Sequence, residues 1–198
     1  MNEAQRLGSS VAQSSQFSHQ FLIAMPTMED FYFKKAVVYV CEHNEQGALG
    51  LIINRPMPQP LQFIFEQMHI EVQIPEVKKH LLLFGGPLQQ ERGFVVHETS
   101  ASDWRASVPM PQNLSVTTSH DILTAIARGE GPQEYLVILG YAGWEAQQLE
   151  YEIATNVWLL APVCKEILFE VPCEQRWEAA AASMGIDINM LSSDVGHA

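Results

Sequence analysis

Residues 35–54, KAVVYVCEHNEQGALGLIIN, constrain the fold more than any other part of the chain. KAVVYVCE (35–42) is β-branched and aromatic and apolar on both faces, the pattern of a strand buried inside the protein. ALGLIIN (48–54) reads as the next strand. The link HNEQG (43–47) is too short for anything but a turn, so the two runs form a hairpin.

Further short strands are expected at FLIAM (21–25), LLLF (81–84), GFVVHE (93–98), LSVTT (114–118) and EYLVILG (134–140). RPMPQP (55–60) breaks the pattern. Pro60 suits the first turn of a helix over 61–69, whose Leu61, Ile64, Phe65 and Met68 fall at helical spacing. A second helix over 118–129 opens with Thr118 and Asp121, a variant capping box, and stops at Gly129. A third helix is expected over 144–154. The last, over 172–185, presents Trp177, Ala181 and Met184 to the core. Hairpins and βα units are mixed, so the class is α+β, folded as a single compact domain over 17–198. Residues 1–16 are polar and expected to be a disordered tail. The Pro-containing 108–113 segment is the one candidate boundary.

Composition narrows the function. The formal net charge is −12, with 11 Lys and Arg against 23 Asp and Glu. Nucleic-acid binders gain most of their affinity by neutralising phosphates, so this balance argues against such a partner. The densest basic spots are the pairs Lys34-Lys35 and Lys78-Lys79. Three cysteines without a CxxC argue against a disulfide framework or a structural zinc site. The N-terminus lacks the apolar core of a signal peptide, and no apolar run approaches the ~20 residues of a membrane span. A cytoplasmic protein is expected.

Three Gly- or Pro-marked segments come after apolar strands: Asn54-Arg55-Pro56, Gly85-Gly86-Pro87 and Gly140-Tyr141-Ala142-Gly143-Trp144. If the strands run parallel, the three share one edge and open a cleft of bare amides, one cation and two aromatics. Such a cleft suits an anionic or planar ligand. In the next helix, Trp144, Gln148 and Glu152 share a face that would flank the cleft, while Ala146, Leu149 and Ile153 form the core stripe. Glu145 would sit favourably in the first turn. Glu150 points elsewhere than Glu152, because i and i+2 do not face each other on a helix.

Seven histidines include no HExxH or other tight metal pair, and neither metal nor cofactor is expected. His43 is placed in the hairpin turn, His97 in a strand and His120 in a first helical turn. Cys173 reads as structural. The chain contains no GxxxxGK[ST], no GxGxxG after a strand and no GxSxG.

CEHNEQGALGLIINRP (41–56), FGGPLQQERGFVVH (84–97), GYAGWEAQQLEYEIATNVWL (140–159), VTTSHDILTAIARG (116–129) and the closing GHA together resemble the YqgE/AlgH family of bacterial proteins. The resemblance runs from about Phe21 onward. It implies an α+β domain whose bifurcated sheet curls into a pseudo-barrel. One branch of the family is named as a transcriptional regulator of alginate production. This chain shows no helix-turn-helix pattern and no basic stripe, so regulation through a protein partner or small ligand fits better. It departs from the family pattern at Glu145 and Gln147, where glycine is usual, and at Leu88, where valine is usual. The leading expectation is a non-enzymatic binding module centred on the three segments. The alternative is a small-molecule enzyme using Glu150 or Glu152 with a nearby histidine.

Overall fold

A computed structural model describes residues 16–100 and 102–192. The expectation for the tail over 1–16 falls outside these residues except at Gln16. The closing GHA also lies outside them.

The hairpin forms as its sequence requires. β1 (Gln20–Ala24), β2 (Val37–Asn44) and β3 (Gly47–Ile52) are successive antiparallel neighbours. Along β1 and β2 the side chains alternate between two cores. Phe21, Ile23, Val37 and Tyr39 enter one, and Leu22, Ala24, Val38 and Val40 the other. This is why the runs are apolar at every position. The turn is tighter than expected: His43 and Asn44 pair with Ala48 and Gly47 and belong to β2.

RPMPQP does not break the sheet. Pro56–Pro60 is β4, paired at its two ends with β5 (Leu81–Phe84). Proline lacks the N–H that a central strand donates, and β4 accordingly lies at an edge. Pro60 therefore ends a strand and does not open the first helix, α1 (Gln62–Gln67). β6 (Leu88–Glu98) begins five residues before the expected strand. The 108–113 segment is no boundary, because β7 (Ser107–Met110) pairs with β8 (Leu114–Thr117) within the same sheet.

β9 (Tyr135–Glu145) organises the whole. It does not stop at Gly140. Its first half lies between β6, antiparallel, and β5, parallel. Its second half pairs antiparallel with β3. The sheet forks here, one branch running β3-β2-β1-β10 (Trp158–Pro162) and the other β5-β4. The curled, mainly antiparallel sheet forms a half-barrel with flanking helices, the bifurcated architecture that the resemblance implied. Only the β5–β9 pair is parallel among the described strands, so the single parallel edge does not exist.

α2 (Asp121–Arg128) ends at Gly129 as expected. Its start differs. The Thr118 N–H donates to Ala106 O, and Asp121 instead accepts from Ser119 Oγ and from the Ile122 and Arg105 amides. α3 (Gln148–Ala154) begins four residues later than expected. α4 (Arg176–Ala182) buries Trp177 and Ala181, but Met184 lies past its end and is 40% exposed. Trp177 Nε1 donates to Ala24 O at 2.8 Å. The buried Arg176 guanidinium donates to Ile53 O and Val171 O. These contacts cap the half-barrel with α4.

Candidate functional site

The three signature segments do meet, but backbone to backbone. Ile52 N–H donates to Gly85 O at 2.9 Å, Phe84 N–H to Arg55 O at 2.8 Å, and Gly85 N–H to Leu139 O at 2.7 Å. Gly140, at φ +73°, sits where β9 exchanges β5 for β3. Amides expected to be bare are engaged in these bonds, and Gly85 and Gly86 are buried. Two cavities, of about 210 and 330 Å³, lie elsewhere.

The side chains there do structural work. Asn54 Oδ1 accepts from Val37 N–H at 2.9 Å, and its Nδ2 donates to Lys35 O at 2.8 Å. Arg55 donates to Lys34 O. Together they pin the 26–35 loop. Pro56 is the first residue of β4, and Pro87 lies between β5 and β6. Tyr141 is half-buried beneath the Arg92 guanidinium, and Leu88 reaches over the exposed Gly143.

Trp144, Gln148 and Glu152 come together for a reason other than helical spacing. Trp144 is in β9, and only Gln148 and Glu152 are in α3. Glu152 Oε2 accepts from Trp144 Nε1 at 2.8 Å and from Trp158 Nε1 at 2.7 Å, while Oε1 accepts from Gln148 Nε2 at 2.9 Å. The two buried indoles meet edge to face at 6.1 Å. One carboxylate thus clamps α3 to β9 and β10. Of the expected core stripe, Leu149 is buried, Ile153 half-buried and Ala146 exposed. Glu145 lies in β9.

Glu150 does point elsewhere. Its Oε1 lies 2.8 Å from Nε2 of His43, which is 5% exposed and packs on Phe17. A carboxylate–histidine pair of the kind the enzymatic alternative needs is therefore present, but its imidazole is sealed inside β2 and lines neither cavity. Cys173 is buried, which pushes its thiol pKa up. Among the described residues no group of three or more His, Cys, Asp or Glu is placed to hold a metal ion. No helix there is long and apolar enough to cross a membrane.

One surface lies outside every expectation from the sequence. Phe31 is 85% exposed and meets Tyr32 edge to face at 5.3 Å. Tyr32 stacks on Phe84 at 5.7 Å, continuing the ridge to the junction. Lys34 and Lys35 are exposed beside it, and Arg55 is half-exposed. The signal was present as DFYFKK (30–35), three aromatics followed by two lysines.

A family profile described as AlgH-like (DUF179) matches residues 21–189. The chain belongs to the AlgH-like family. A UPF0301 protein of Legionella pneumophila (strain Lens) is 54% identical over 184 residues, covering 93% of this chain and 98% of that one. One from Thioalkalivibrio sulfidiphilus is 51% identical over 190 residues, with the same coverage. The solution structure of AlgH from Pseudomonas aeruginosa superposes with a TM-score of 0.74 at 45% identity, covering 95% of this chain and all of that one. A Corynebacterium diphtheriae protein shares the fold at 19% identity, with a TM-score of 0.72 and coverage of 97% and 100%.

The fold explains one departure from the AlgH-like pattern. Gln147 has φ +66°, a left-handed conformation that glycine adopts without steric cost. Gln147→Gly is expected to leave stability unchanged or raise it by up to about 1 kcal/mol, because relief of strain outweighs the greater freedom of the unfolded chain. Chemical denaturation checks this. A loss beyond about 1 kcal/mol would show that the Gln147 side chain makes an essential contact.

Proposed function

We propose that this chain is a non-enzymatic, cytoplasmic binding module that acts by docking a protein partner on the Phe31–Tyr32–Phe84 ridge and the adjoining Asn54–Pro56 and Gly85–Pro87 segments. The observation that carries the reading is the ridge itself. A phenylalanine at 85% exposure, edge to face with a tyrosine that itself stacks on Phe84, is a poor surface for a free monomer and a common one for an interface. Phe31 stands out into solvent and neither cavity is lined by a ridge residue, whereas small-molecule sites are concave. A protein therefore fits this surface better than a ligand.

Charge suggests the partner's character. In a strongly acidic chain, the exposed Lys34 follows the ridge and Arg55 is tied to its carbonyl, while Lys35 reaches over the Trp177 ring. Asp30 turns its carboxylate to the Tyr32 and Phe33 amides. An acidic segment carrying an apolar side chain is complementary. Regulation of transcription, as the family name suggests, would then run through that partner, not through direct contact with DNA. Free Cys41, Cys164 and Cys173 suit a reducing compartment.

The test compares wild-type protein with Phe31→Ala and Lys34→Glu in cross-linked co-purification from the source bacterium. Both side chains are exposed, so melting temperatures should match. An acidic partner recovered with wild type and reduced about tenfold or more by either change is the expected result. Equal recovery with all three proteins overturns the reading.

A further inference from the structure

The ~210 Å³ cavity lies apart from the ridge, and a site within it stands independently of the docking proposal. It arises from strand alternation. In β6 and β8, Phe94, Val96, Leu114 and Val116 face the core beneath α4. The opposite face carries Val95, His97, Ser115 and Thr117, brought into register by Val95↔Thr117 and His97↔Ser115. Val95 joins the apolar cluster under α2, and the other three make the end of that face polar. Thr99, Ser100, Ser102, Asp103 and Trp104, which follow β6, line the other side of the cavity.

The floor is built and satisfied. His97 is 1% exposed. Its Nδ1–H donates to Glu98 O at 2.7 Å, which leaves Nε2 to accept from Thr117 Oγ1 at 2.8 Å. Ser107 Oγ bonds Thr117 in turn at 2.9 Å, and Thr99 and Ser115 share a hydroxyl contact at 3.0 Å. Burial holds the imidazole below its ordinary pKa, consistent with this neutral arrangement.

The roof is not satisfied. Ser100 Oγ and Trp104 Nε1 are both buried, and neither has a hydrogen-bond partner. Buried indole N–H groups ordinarily find one. Two such atoms on one cavity wall point to contents that supply the missing bonds.

We propose that this cavity binds a small uncharged polyol of monosaccharide size. Hydroxyls from Thr99, Ser100, Ser102, Ser107 and Ser115 line it. Thr99 donates to Leu114 O, Ser115 to Thr99 and Ser107 to Thr117, so these three offer lone pairs to a polyol's hydroxyls, while Ser100 and Ser102 can both donate and accept. Trp104 adds a flat apolar face and a free donor, and Asp103 adds an acceptor. No lysine or arginine lines the cavity, which disfavours anions. The volume is below the roughly 300–1,000 Å³ that takes a drug-sized molecule.

The test is a titration of the ¹⁵N-labelled full chain with D-glucose, D-mannose and myo-inositol at up to tens of millimolar. Glucuronate and ethanolamine serve as charged comparators. Loss of one cross-peak in Trp104→Phe assigns the Trp104 indole. The expected result is a saturable shift of that indole with at least one neutral polyol. Ser100→Ala should weaken the affinity about tenfold, the effect of one hydrogen bond. An indole unmoved by every neutral polyol overturns the proposal and leaves a water-filled cavity. A shift produced only by glucuronate or ethanolamine overturns the uncharged class.

Discussion

Glu152→Ala is expected to cost about 3 kcal/mol and to lower the melting temperature by about 10 °C. The substitution orphans two buried indole N–H groups at once, those of Trp144 and Trp158. Each unsatisfied donor costs roughly 1–3 kcal/mol. Glu152→Gln should cost less, about 1–2 kcal/mol, because its one carbonyl oxygen can still serve both indoles. Its amide then faces Gln148 Nε2, another donor. Gln148 cannot simply turn over, since its Oε1 already accepts from Glu145 N–H at 3.0 Å. One mismatch therefore persists in either orientation. Thermal and urea unfolding of the two variants measure this order. If Glu152→Ala stays within about 0.5 kcal/mol of wild type, the carboxylate is not a clamp, and its bonds to the two indoles contribute little to stability.

The clamp also shows how far the sequence can be read. Trp144, Gln148 and Glu152 do group together, although the helix expected to bring them together starts only at Gln148. Gly140 looks like the end of a strand because glycine usually ends one. Here it sits at the fork, where a left-handed residue lets β9 change neighbours and continue. Whether a glycine ends a strand or bends it depends on partners remote in sequence. β4 is invisible for a similar reason: three prolines in five residues look like a breaker until an edge position removes the need for donors. The β2–β3 hairpin is legible because its signal is local and its strands are buried on both faces. The polar cavity is written in the alternation of GFVVHE and LSVTT. Only the fold brings Ser100 and Trp104 over it, and no local pattern joins residues 97 and 115.

Gly86→Ala and Gly143→Ala are expected to separate by about 3 kcal/mol or more, although both positions belong to the family signature. A Cβ on Gly86 would lie 2.2 Å from Tyr141 C, 2.3 Å from Tyr141 O and 2.4 Å from Ala142 N. All three are backbone atoms of β9, and Gly86 itself has φ +153°. No rotamer change relieves such a contact. The β5–β6 turn must lift away from β9, which loosens the Gly85–Leu139 hydrogen bond and the Leu88–Tyr141 pairing at the fork. About 4 kcal/mol is a large fraction of the ~5–15 kcal/mol that holds a domain folded, so low soluble yield should accompany the low melting point. At the exposed Gly143 the one tight contact of the Cβ is with the far end of the Leu88 side chain, at 2.8 Å, and Tyr141 Cε2 lies at an ordinary 3.7 Å. That change should cost under about 1 kcal/mol. Differential scanning calorimetry of both variants decides the matter. Equal, severe losses would mean that no side chain is tolerated either in β9 at Gly143 or in the turn packed against it at Gly86. The expected split assigns Gly86 to the fold and leaves Gly143 as a signature glycine that stability does not require.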